Sequence, residues 1–587
     1  MKNRLCALWL ALILISPIMA QQRTLQLRII ETSDVHGRFF PYDFINRKAV
    51  DGSLARVSTY VNQLRKEYGN RLILLDNGDF LQGQPICYYY NYVDTTSTHI
   101  AAQLLNYLRY DAATMGNHDI ETGHAVYDRW VKETRCPMLG ANVIETRTNQ
   151  PYLKPYVILE RQGIKVAILG MLTPAIPNWL SEDLWSGLRF EEMKASARRW
   201  MKVLKEEEEA DVVIGLFHSG AEGGITTPEY EENVAMGIAR EVPGFDLVLF
   251  GHDHQRACEQ VINAEGKPVV CLNPANNAIY VADAEITIQY DEHNINGHIA
   301  HITQRKQVTG KLVSLADFPA DEQMMEDFSQ QIADVKAYVD KPIGNFQHTL
   351  TSEDAFFGSS AFTDLIHYLQ LRVTGADISF NAPLLFNAEI KAGPIRVSDM
   401  FNLYKYENQL YVMRLTGKEI RKHLEMSYNL WANTMTSPED HLLLFRKGTG
   451  NEEDRLSLAN PYFNFDSAAG INYVVDVTKP MGEKVKILSM SDGTPFDEQK
   501  WYRVAVNSYR GNGGGELLTR GAGIPKDSLE SRIVWRSDKD QRHYLSEEIK
   551  RLGSIDPQPL NNWKFIPEDW TLQAAQRDKR LLFGKEE

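Results

Sequence analysis

The chain contains few cysteines, fewer basic than acidic residues and no internal repeat. It has 5 cysteines in 587 residues, and none of them forms a Cys-x-x-Cys pair, so we expect no thiolate zinc site. It carries 63 basic and 77 acidic residues and a net charge of −14, which argues against a nucleic-acid polymer as a partner. A small substrate that carries phosphate would therefore need positive charge supplied locally.

Long apolar runs are also missing beyond the N-terminus, where nothing approaches the roughly 20 residues that a membrane helix needs. Lys2 and Arg4 precede an apolar run over 8–15, and small residues follow up to Ala20. This order is typical of a secretory signal peptide, which is removed from the mature protein. We expect residues 1–20 to be that peptide, cleavage near Ala20, and a secreted or periplasmic protein without a membrane span.

Two of the remaining cysteines stand on either side of a turn sequence. Cys258 and Cys271 flank Gly266-Lys267-Pro268, which predicts a hairpin. In an oxidising compartment the sequence is compatible with two states of these cysteines: a Cys258–Cys271 disulfide, or two buried free thiols.

Strand-like runs alternate with helical patterns between residues 22 and 304. The runs are rich in Val, Ile and Leu, and they cover 25–32, 72–76, 112–115, 166–170, 212–217 and 247–250. Helical spacing of apolar residues covers 54–68 and 191–208. The alternation predicts an α/β sheet covered by helices, with ligands gathered where the strands end. A chain of this length is expected to contain a second domain.

Residues able to bind metal follow these strand-like runs. Taken singly, each could be a turn residue or a packed histidine. Jointly they supply carboxylate, amide and imidazole ligands, which suit manganese, zinc, iron or cobalt better than calcium, with manganese and zinc favoured. The set is Asp34, His36, Asp79, Asn117, His218, His252 and His254.

This ordered set resembles the ligands of the calcineurin-like metallophosphoesterases. Together with the second half, it resembles the secreted 5′-nucleotidase and 2′,3′-cyclic-nucleotide 2′-phosphodiesterase family over nearly the whole mature chain. The resemblance implies a four-layer α/β/β/α sandwich plus a C-terminal α+β nucleotide-binding domain. We expect a catalytic domain at 21–310, a linker helix at 311–344, a substrate-binding domain at 345–562 and a tail at 563–587.

Carried over by motif, the resemblance implies two divalent metal ions. Asp34, His36, Asp79 and His254 would hold one ion, and Asp79 would bridge to a second ion held by Asn117, His218 and His252. His118 is left free to serve the leaving oxygen, because its side chain diverges from that of its neighbour Asn117. Family members usually place Asp or Asn three residues after this histidine, whereas this chain has Glu121, and Asp119 is expected to support the loop.

The second half resembles the family's substrate-binding segments. Tyr406 and Asn408 fall in a segment that contacts the nucleoside, and Tyr509 falls in a loop that supplies an opposite aromatic ring. A base between the two tyrosines would gain about 1–3 kcal/mol for each stacking face. The glycines at 513–515 lack the following Lys-Ser or Lys-Thr of a phosphate-binding loop, so we expect them to permit close backbone approach.

Two features separate branches of the family. The 5′-nucleotidases typically carry an arginine in a segment that here reads Asn381-Ala382-Pro383-Leu384-Leu385-Phe386. Conversely, the residues at 462–466 and 507–510 resemble the bifunctional 2′,3′-cyclic-nucleotide 2′-phosphodiesterase/3′-nucleotidase branch, which we favour. The alternatives are a 5′-nucleotidase or UDP-sugar hydrolase, a sulfur-compound hydrolase of the same fold, and a non-catalytic nucleotide-binding protein. The sequence sets no expectation for the oligomeric state.

Overall fold

The protein is described by a computed structural model that covers residues 21–295, 298–447 and 456–584. The predicted signal peptide at 1–20 lies outside these described residues. None of the helices in the described ranges is long and apolar enough to cross a membrane.

Two six-stranded sheets form the centre of the first domain. In spatial order the first contains His298–Ser314, Tyr280–Ile295, Gln21–Thr32, Leu72–Asp76, Ala112–Thr114 and Met138–Leu139. The second contains Arg256–Ile262, Pro268–Pro274, Leu247–Phe250, Val212–His218, Ile164–Leu172 and Tyr156–Arg161. The central strands of each sheet run parallel to one another.

The two sheets face each other across a shared apolar core. Ile29 points into that core and packs with side chains from the second sheet, whereas its neighbour Ile30 packs on the opposite side against helices. In the second sheet, Ile214 faces the shared core and Val213 faces the outer helices. Successive strand residues point to opposite faces, so central strands buried on both faces read as continuous apolar runs.

Helices cover the outer face of each sheet and complete four layers, as predicted. Leu54–Tyr68 begins after Ser53, whose side chain accepts a hydrogen bond from the Arg56 backbone amide. The other helices are Pro85–Tyr88, Ile100–Leu108, Asn117–Ile120, His124–Glu133 and Ile176–Trp179 on the first sheet's side, and Met193–Glu206 and Ala235–Glu241 on the second's.

The segment expected as a linker helix is packed into the first domain. The strand His298–Ser314 runs past the expected boundary at residue 310, and the helix is divided into Glu322–Asp327 and Ser329–Val339. Met324 and Val335 are buried in the same apolar cluster as the first domain's helices. The two helices therefore pack as part of the first domain, while the strand Pro342–Phe346 that follows them pairs within the second.

The second domain is an α+β unit, as predicted. Its largest sheet contains Ser467–Ala469, Ile378–Asn381, Trp501–Asn507, Gln409–Thr416 and Ile533–Asp540 in spatial order. Two three-stranded sheets contain Gly393–Arg396, Pro342–Phe346 and Ser554–Ile555, and Val485–Met490, Ile471–Asp476 and Trp563–Ile566. Its helices are Ala361–Thr374, Val397–Leu403, Gly417–Trp431, Ser508–Gly511, Leu529–Arg532, Gln541–Leu552 and Glu568–Phe583.

The last described residues do not form a separate tail. Trp563–Ile566 pairs in parallel with Ile471–Asp476, and the helix Glu568–Phe583 follows it. Trp563, Phe565 and Ala574 are buried in the second domain's main apolar cluster. Short strands complete the chain at Tyr42–Asp43, Lys48–Ala49, Val143–Glu145, Gln150–Pro151, Leu188–Phe190, Gly223–Thr226, Glu231–Asn233, Leu350–Thr351, Glu389–Ile390, Phe445–Lys447 and Leu456–Leu458.

The predicted hairpin between the two cysteines is present, but the disulfide is not. Arg256–Ile262 pairs antiparallel with Pro268–Pro274, with Cys258 opposite Leu272 and Cys271 opposite Glu259. Because neighbouring strand positions face opposite ways, the two thiols lie on opposite sides of the sheet. Cys258 is exposed and Cys271 is buried, and both are free.

Candidate metal centre and substrate cleft

The predicted metal ligands lie together at one edge of the two sheets, where the central parallel strands end. The first sheet supplies the two aspartates, the asparagine and His36, and the second sheet supplies the other three histidines. In chain order Asp34 and His36 follow Gln21–Thr32, Asp79 follows Leu72–Asp76, Asn117 follows Ala112–Thr114, His218 ends Val212–His218, and His252 and His254 follow Leu247–Phe250.

These side chains form two groups that share one carboxylate. Ligand atoms of Asp34, His36, Asp79 and His254 all lie within 4.8 Å of one another, and so do those of Asp79, His218 and His252. The seventh predicted ligand completes the second group, because Oδ1 of Asn117 lies 3.1 Å from Nε2 of His218.

The donor atoms suit bound cations. Nε2 of His36 lies 3.0 Å from Nε2 of His254, while Nδ1 of His36 lies 3.1 Å from the Gln82 carbonyl oxygen. Nδ1–H donation to that carbonyl leaves a lone pair on Nε2. Oδ1 of Asp34 is buried and lies 3.3 Å from Nε2 of His254. A cation placed among these atoms would meet the Nε2 lone pair of His36 and the carboxylate of Asp34.

Burial and neighbouring charges shift the pKa values of the ligand groups in different directions. Burial acts to lower the pKa of His218, but the Asp79 carboxylate outweighs it and raises that pKa to about 10. Burial outweighs the nearby carboxylates and lowers the pKa of His36 to about 3, which holds the imidazole neutral. Although burial acts to raise the pKa of Asp79, the surrounding histidines hold it well below its usual range. Neutral imidazole and ionised carboxylate are the forms that bind a metal ion.

Most of the ligand positions have a left-handed backbone. Non-glycine residues seldom adopt it, and each such position costs about 1–3 kcal/mol unless its surroundings impose it. Backbone bonds between the loops do so: the Asp34 amide donates to the Gly78 carbonyl at 3.0 Å and the His36 amide to that of Asp79 at 3.0 Å. The φ angles are 50° for Asp34, 49° for His36, 56° for Asp79, 74° for His252 and 57° for His254.

Asp119 supports the loop that carries the shared ligand. Its carboxylate accepts hydrogen bonds from the backbone amides of Asp79 at 2.9 Å, Phe80 and Leu81 at 2.8 Å each, and Gly116 at 2.8 Å. Its buried side chain therefore connects the loop after one strand to the loop after the next.

His118 and Glu121 form a close pair beside the metal ligands. Nδ1 of His118 lies 2.6 Å from Oε2 of Glu121, so the longer side chain at this position still reaches the imidazole. The His118 backbone amide donates to Oδ1 of Asp79 at 2.9 Å. Burial acts to lower the pKa of His118, but the carboxylates of Asp79 and Glu121 outweigh it and raise that pKa to about 9. The ring therefore holds a proton readily.

The predicted substrate-binding tyrosines are gathered around one phenylalanine. The ring of Phe463 lies 6.5 Å from that of Tyr406 and 6.2 Å from that of Tyr509, in edge-to-face geometry with both. A Cβ added to Gly514 would lie 2.5 Å from the Tyr509 ring, so a glycine at this position lets the loop pack closely against this tyrosine. Asn408 is half-buried, and its amide oxygen accepts a hydrogen bond from the Tyr404 hydroxyl at 3.3 Å.

A buried ionic network lies behind this aromatic group. Arg510 makes two parallel bonds to Asp466, at 2.8 and 2.9 Å, and Nε2 of His423 lies 2.8 Å from the same carboxylate. Although burial acts to raise the pKa of Asp466, Arg510 and His423 hold it at about 2. The positive charge of Arg510 is therefore already compensated by Asp466, and this ion pair holds the loop that carries Tyr509.

The second domain contacts the first beside the metal centre. The Tyr88 hydroxyl donates to Oδ2 of Asp540 at 2.9 Å, and the Arg542 guanidinium lies 5.1 Å from the Tyr88 ring. Lys526 donates to the Pro177 carbonyl at 3.1 Å. Burial raises the pKa of Glu407 to about 8, and the Glu121 carboxylate contributes to the rise, so the segment that carries Tyr406 faces the His118 pair.

Sequence reasoning missed two side chains that border the ligands. The Trp179 ring lies 5.6 Å from that of His252, and Oε1 of Glu232 lies 3.0 Å from Nε2 of His252. Neither belongs to a strand-end motif, because one lies in a loop helix and the other in an inserted hairpin. Only the folded arrangement brings them to the site.

Comparison with known proteins agrees with this geometry. Residues 27–256 match the calcineurin-like phosphoesterase family, and residues 337–520 match the 5′-nucleotidase C-terminal domain. The fold and the site define a metallophosphoesterase. More particularly, the chain is a calcineurin-like phosphoesterase that carries a 5′-nucleotidase C-terminal domain.

Relatives cover nearly all of the chain. A 2′,3′-cyclic-nucleotide 2′-phosphodiesterase/3′-nucleotidase from Salmonella typhimurium is 26% identical over 96% of this chain and 93% of its own length. The trifunctional nucleotide phosphoesterase protein YfkN of Bacillus subtilis is 26% identical over 94% of this chain, which spans 40% of that longer protein. A Staphylococcus aureus structure described as a 5′-nucleotidase shares the fold, with a TM-score of 0.73 and 20% identity over 92% of this chain and all of that one.

Proposed function

We propose that this chain is an exported dinuclear-metal phosphohydrolase that converts 2′,3′-cyclic nucleotides to 3′-nucleotides, and these to nucleoside and phosphate. One observation carries the proposal: two ligand groups share Asp79, whose carboxylate also accepts the His118 backbone amide. The base-binding tyrosines stand on a domain that contacts this centre. Export is supported by the N-terminal sequence, in which basic, apolar and small residues follow one another.

The two groups of candidate ligands support a division between two ions. Asp34, His36, Asp79 and His254 would hold one ion, and Asp79, Asn117, His218 and His252 would hold the other. Manganese or zinc fits a set of carboxylate, amide and imidazole donors that contains no thiolate. Two bound cations supply Lewis-acid stabilisation of the phosphoryl charge and lower the pKa of an attacking water.

His118 serves the leaving oxygen in this proposal. Its Nδ1 is occupied by Glu121, so Nε2 is the nitrogen that faces substrate and carries the transferable proton. When the P–O2′ bond of the cyclic diester breaks, O2′ takes this proton while water adds to phosphorus. Hydrolysis of the 3′-monophosphate repeats the step with O3′ as the leaving oxygen, after the nucleoside has bound again in another orientation.

In this proposal Tyr406 and Tyr509 bind the base of the nucleoside. A base placed between Tyr406 and Tyr509 would gain about 1–3 kcal/mol from stacking, and Asn408 stands in the same segment as Tyr406. Phe386 occupies the end of the segment where 5′-nucleotidases typically carry an arginine, and it packs 4.9 Å from the Phe583 ring. An apolar contact in place of a cation favours the cyclic and 3′-nucleotide branch.

A substrate panel tests this function. We expect metal-loaded protein to hydrolyse 2′,3′-cyclic AMP and 3′-AMP at least ten-fold faster, in kcat/KM, than 5′-AMP or a UDP-sugar. Chelation should abolish all of these activities, and added Mn²⁺ or Zn²⁺ should restore them. A preference for 5′-AMP or UDP-sugars would instead indicate the 5′-nucleotidase alternative.

The same panel addresses the remaining alternatives. A sulfur-compound hydrolase should release little phosphate from any nucleotide, and a non-catalytic binder should retain nucleotide without releasing phosphate. Asp79→Asn, which weakens the ligand shared by both groups, provides the inactive control. Activity that survives this substitution would overturn the dinuclear assignment.

A further inference from the structure

Glu232 is a half-buried carboxylate in a small hairpin outside every sequence motif of the site. Its strand, Glu231–Asn233, pairs with Gly223–Thr226 in the connection between Val212–His218 and the helix Ala235–Glu241. The hairpin therefore follows directly after the strand that ends in a metal-ligand candidate. Oε1 of Glu232 lies 3.0 Å from Nε2 of His252.

The position of Glu232 is fixed by its surroundings. Its other carboxylate oxygen accepts the Ile225 backbone amide at 2.7 Å. Its carbonyl oxygen accepts hydrogen bonds from the Ser219 hydroxyl at 2.9 Å and from the Thr173 hydroxyl at 3.0 Å. Only 13% of the Glu232 side chain is exposed. Both ends of the residue are anchored, so its contact with His252 is not that of a mobile surface side chain.

His252 is held on several sides. Its backbone amide donates to Oδ2 of Asp34 at 3.0 Å, and its ring lies 5.6 Å from that of Trp179. One of its ring nitrogens lies within 4.8 Å of the ligand atoms of Asp79 and His218. Because Nε2 is engaged by Glu232, Nδ1 is the nitrogen left to face a cation.

We propose that Glu232 is a positioning residue for the second metal ion, acting by accepting the Nε2–H of His252. The bond fixes the tautomer of the imidazole, leaves the Nδ1 lone pair for the ion and increases the basicity of that nitrogen. The inference rests on the proposed function, in which His252 is a ligand.

The contact also balances charge between the two ligand groups. The first group contains two carboxylates, Asp34 and Asp79, whereas the second contains only the shared Asp79. His218 in the second group is supported by a neutral backbone carbonyl, that of Asn77 at 2.6 Å from its Nδ1. Glu232 therefore supplies the additional negative charge on the side of the second ion, one imidazole away from it.

Metal binding by full-length variants tests the inference without relying on turnover. We expect wild-type protein to bind two Mn²⁺ ions, with the coupled electron paramagnetic resonance spectrum of a spin pair. Glu232→Gln should retain the first ion and bind the second about 10- to 100-fold more weakly, the usual cost of losing such a partner. The Gln amide oxygen can still accept the Ile225 amide, which preserves the hairpin.

Glu231→Gln is the matched control. Glu231 is the exposed neighbour, whose contact is with Lys194 at 3.3 Å, so this variant should bind both ions as wild type does. Equal affinity of wild type and Glu232→Gln for the second ion would overturn the inference. Wild-type protein that binds fewer than two ions would instead overturn the proposed function.

A double-mutant cycle separates positioning from direct ligation. If Glu232 acts through the imidazole, Glu232→Gln should have no further effect on metal affinity in a His252→Gln background. An undiminished loss in that background would show that Glu232 contacts the ion itself, and it would reject the positioning role.

Discussion

At the residue scale, five candidate metal ligands have a strained backbone conformation. Asp34, His36, Asp79, His252 and His254 all have positive φ, a conformation in which glycine would be less strained. The strain is maintained by hydrogen bonds between loops and by the Asp119 carboxylate, which accepts four backbone amides. These contacts fix the positions of the candidate ligand side chains from within the protein.

The His118 pair gives the first residue-scale prediction. His118→Ala should lower kcat by about 10²- to 10⁴-fold, because it removes the proton donor of the leaving oxygen. Metal content should stay at the wild-type level, since His118 is not assigned as a ligand. Steady-state kinetics on 3′-AMP together with metal analysis checks both expectations.

Two further variants sharpen that result. Glu121→Gln should lower kcat by a smaller factor, because the amide can still contact Nδ1 of His118 but cannot stabilise a charged ring. His124→Ala, which removes a partly exposed histidine that contacts Asp128 at 3.2 Å, should be neutral. A His118→Ala enzyme with wild-type kcat would remove this residue from the mechanism.

At the element scale, the C-terminal helix is a structural part of the second domain. Asp578 on this helix is fully buried and accepts the backbone amides of Leu442 and Leu443 at 2.8 and 3.0 Å. Nδ1 of His441 lies 2.5 Å from the same carboxylate. Phe583, near the end of the helix, packs against Phe386 in the segment that lacks the arginine. The helix thus supports a loop of the substrate-binding domain.

Loss of the Asp578 carboxylate should therefore destabilise that domain. Asp578→Ala leaves two buried amides without an acceptor, and each costs about 1–3 kcal/mol, so we expect about 2–6 kcal/mol in total. Thermal unfolding followed by circular dichroism should show a clear fall in Tm. Gln576→Ala, at an exposed position of the same helix, should leave Tm within about a degree. Equal Tm values for the two variants would contradict a structural role.

The limits of sequence reasoning follow from the range of the interactions. The central strands were predictable because burial on both faces requires continuous apolar residues, and the ligands because each follows such a strand. Glu232 and Trp179 were not, because they reach His252 only through the tertiary fold. The packing of the expected linker and tail could not be predicted for a related reason: Met324 and Ala574 are buried by partners distant in the chain.

The cysteine pair illustrates a finer limit. The turn sequence correctly predicted the hairpin between Cys258 and Cys271, but the disulfide depended on register. The two residues are offset by one position across the ladder, so their side chains face opposite sides of the sheet. A shift of one residue in the pairing register moves a strand side chain to the other face of the sheet. The turn sequence alone does not determine that register.

At the scale of the whole molecule, side chains of the two domains meet around Tyr88. Phe401 and Arg542 from the second domain surround Tyr88 of the first, with the Arg542 guanidinium 3.9 Å from the Phe401 ring. The Tyr88 hydroxyl bond to Asp540 adds a directional contact. In the proposed function, these contacts hold Tyr406 and Tyr509 beside the candidate metal ligands.

Removing that hydroxyl should loosen the arrangement without unfolding either domain. Tyr88→Phe deletes a hydrogen bond to a charged partner, a class worth about 1.5–3 kcal/mol. We expect KM to rise about three- to ten-fold, with Tm nearly unchanged, because the substrate must bind a less populated domain arrangement. Tyr107→Phe is the control, since it removes a Tyr–Asp bond of 3.1 Å to Asp327 away from the domain interface. A KM equal to that of the control would show that this contact does not govern substrate binding.

The division of ligands between the two sheets has a mechanical consequence. Asp34, His36, Asp79 and Asn117 extend from the ends of one sheet, and His218, His252 and His254 from the ends of the other. Cations held between them would link the two sheets at this end of the sandwich. Because such cations would bind the folded chain and not the unfolded one, they would raise the Tm of the protein. The edge of the molecule that opens to substrate would then also be the edge at which its two halves are fastened together.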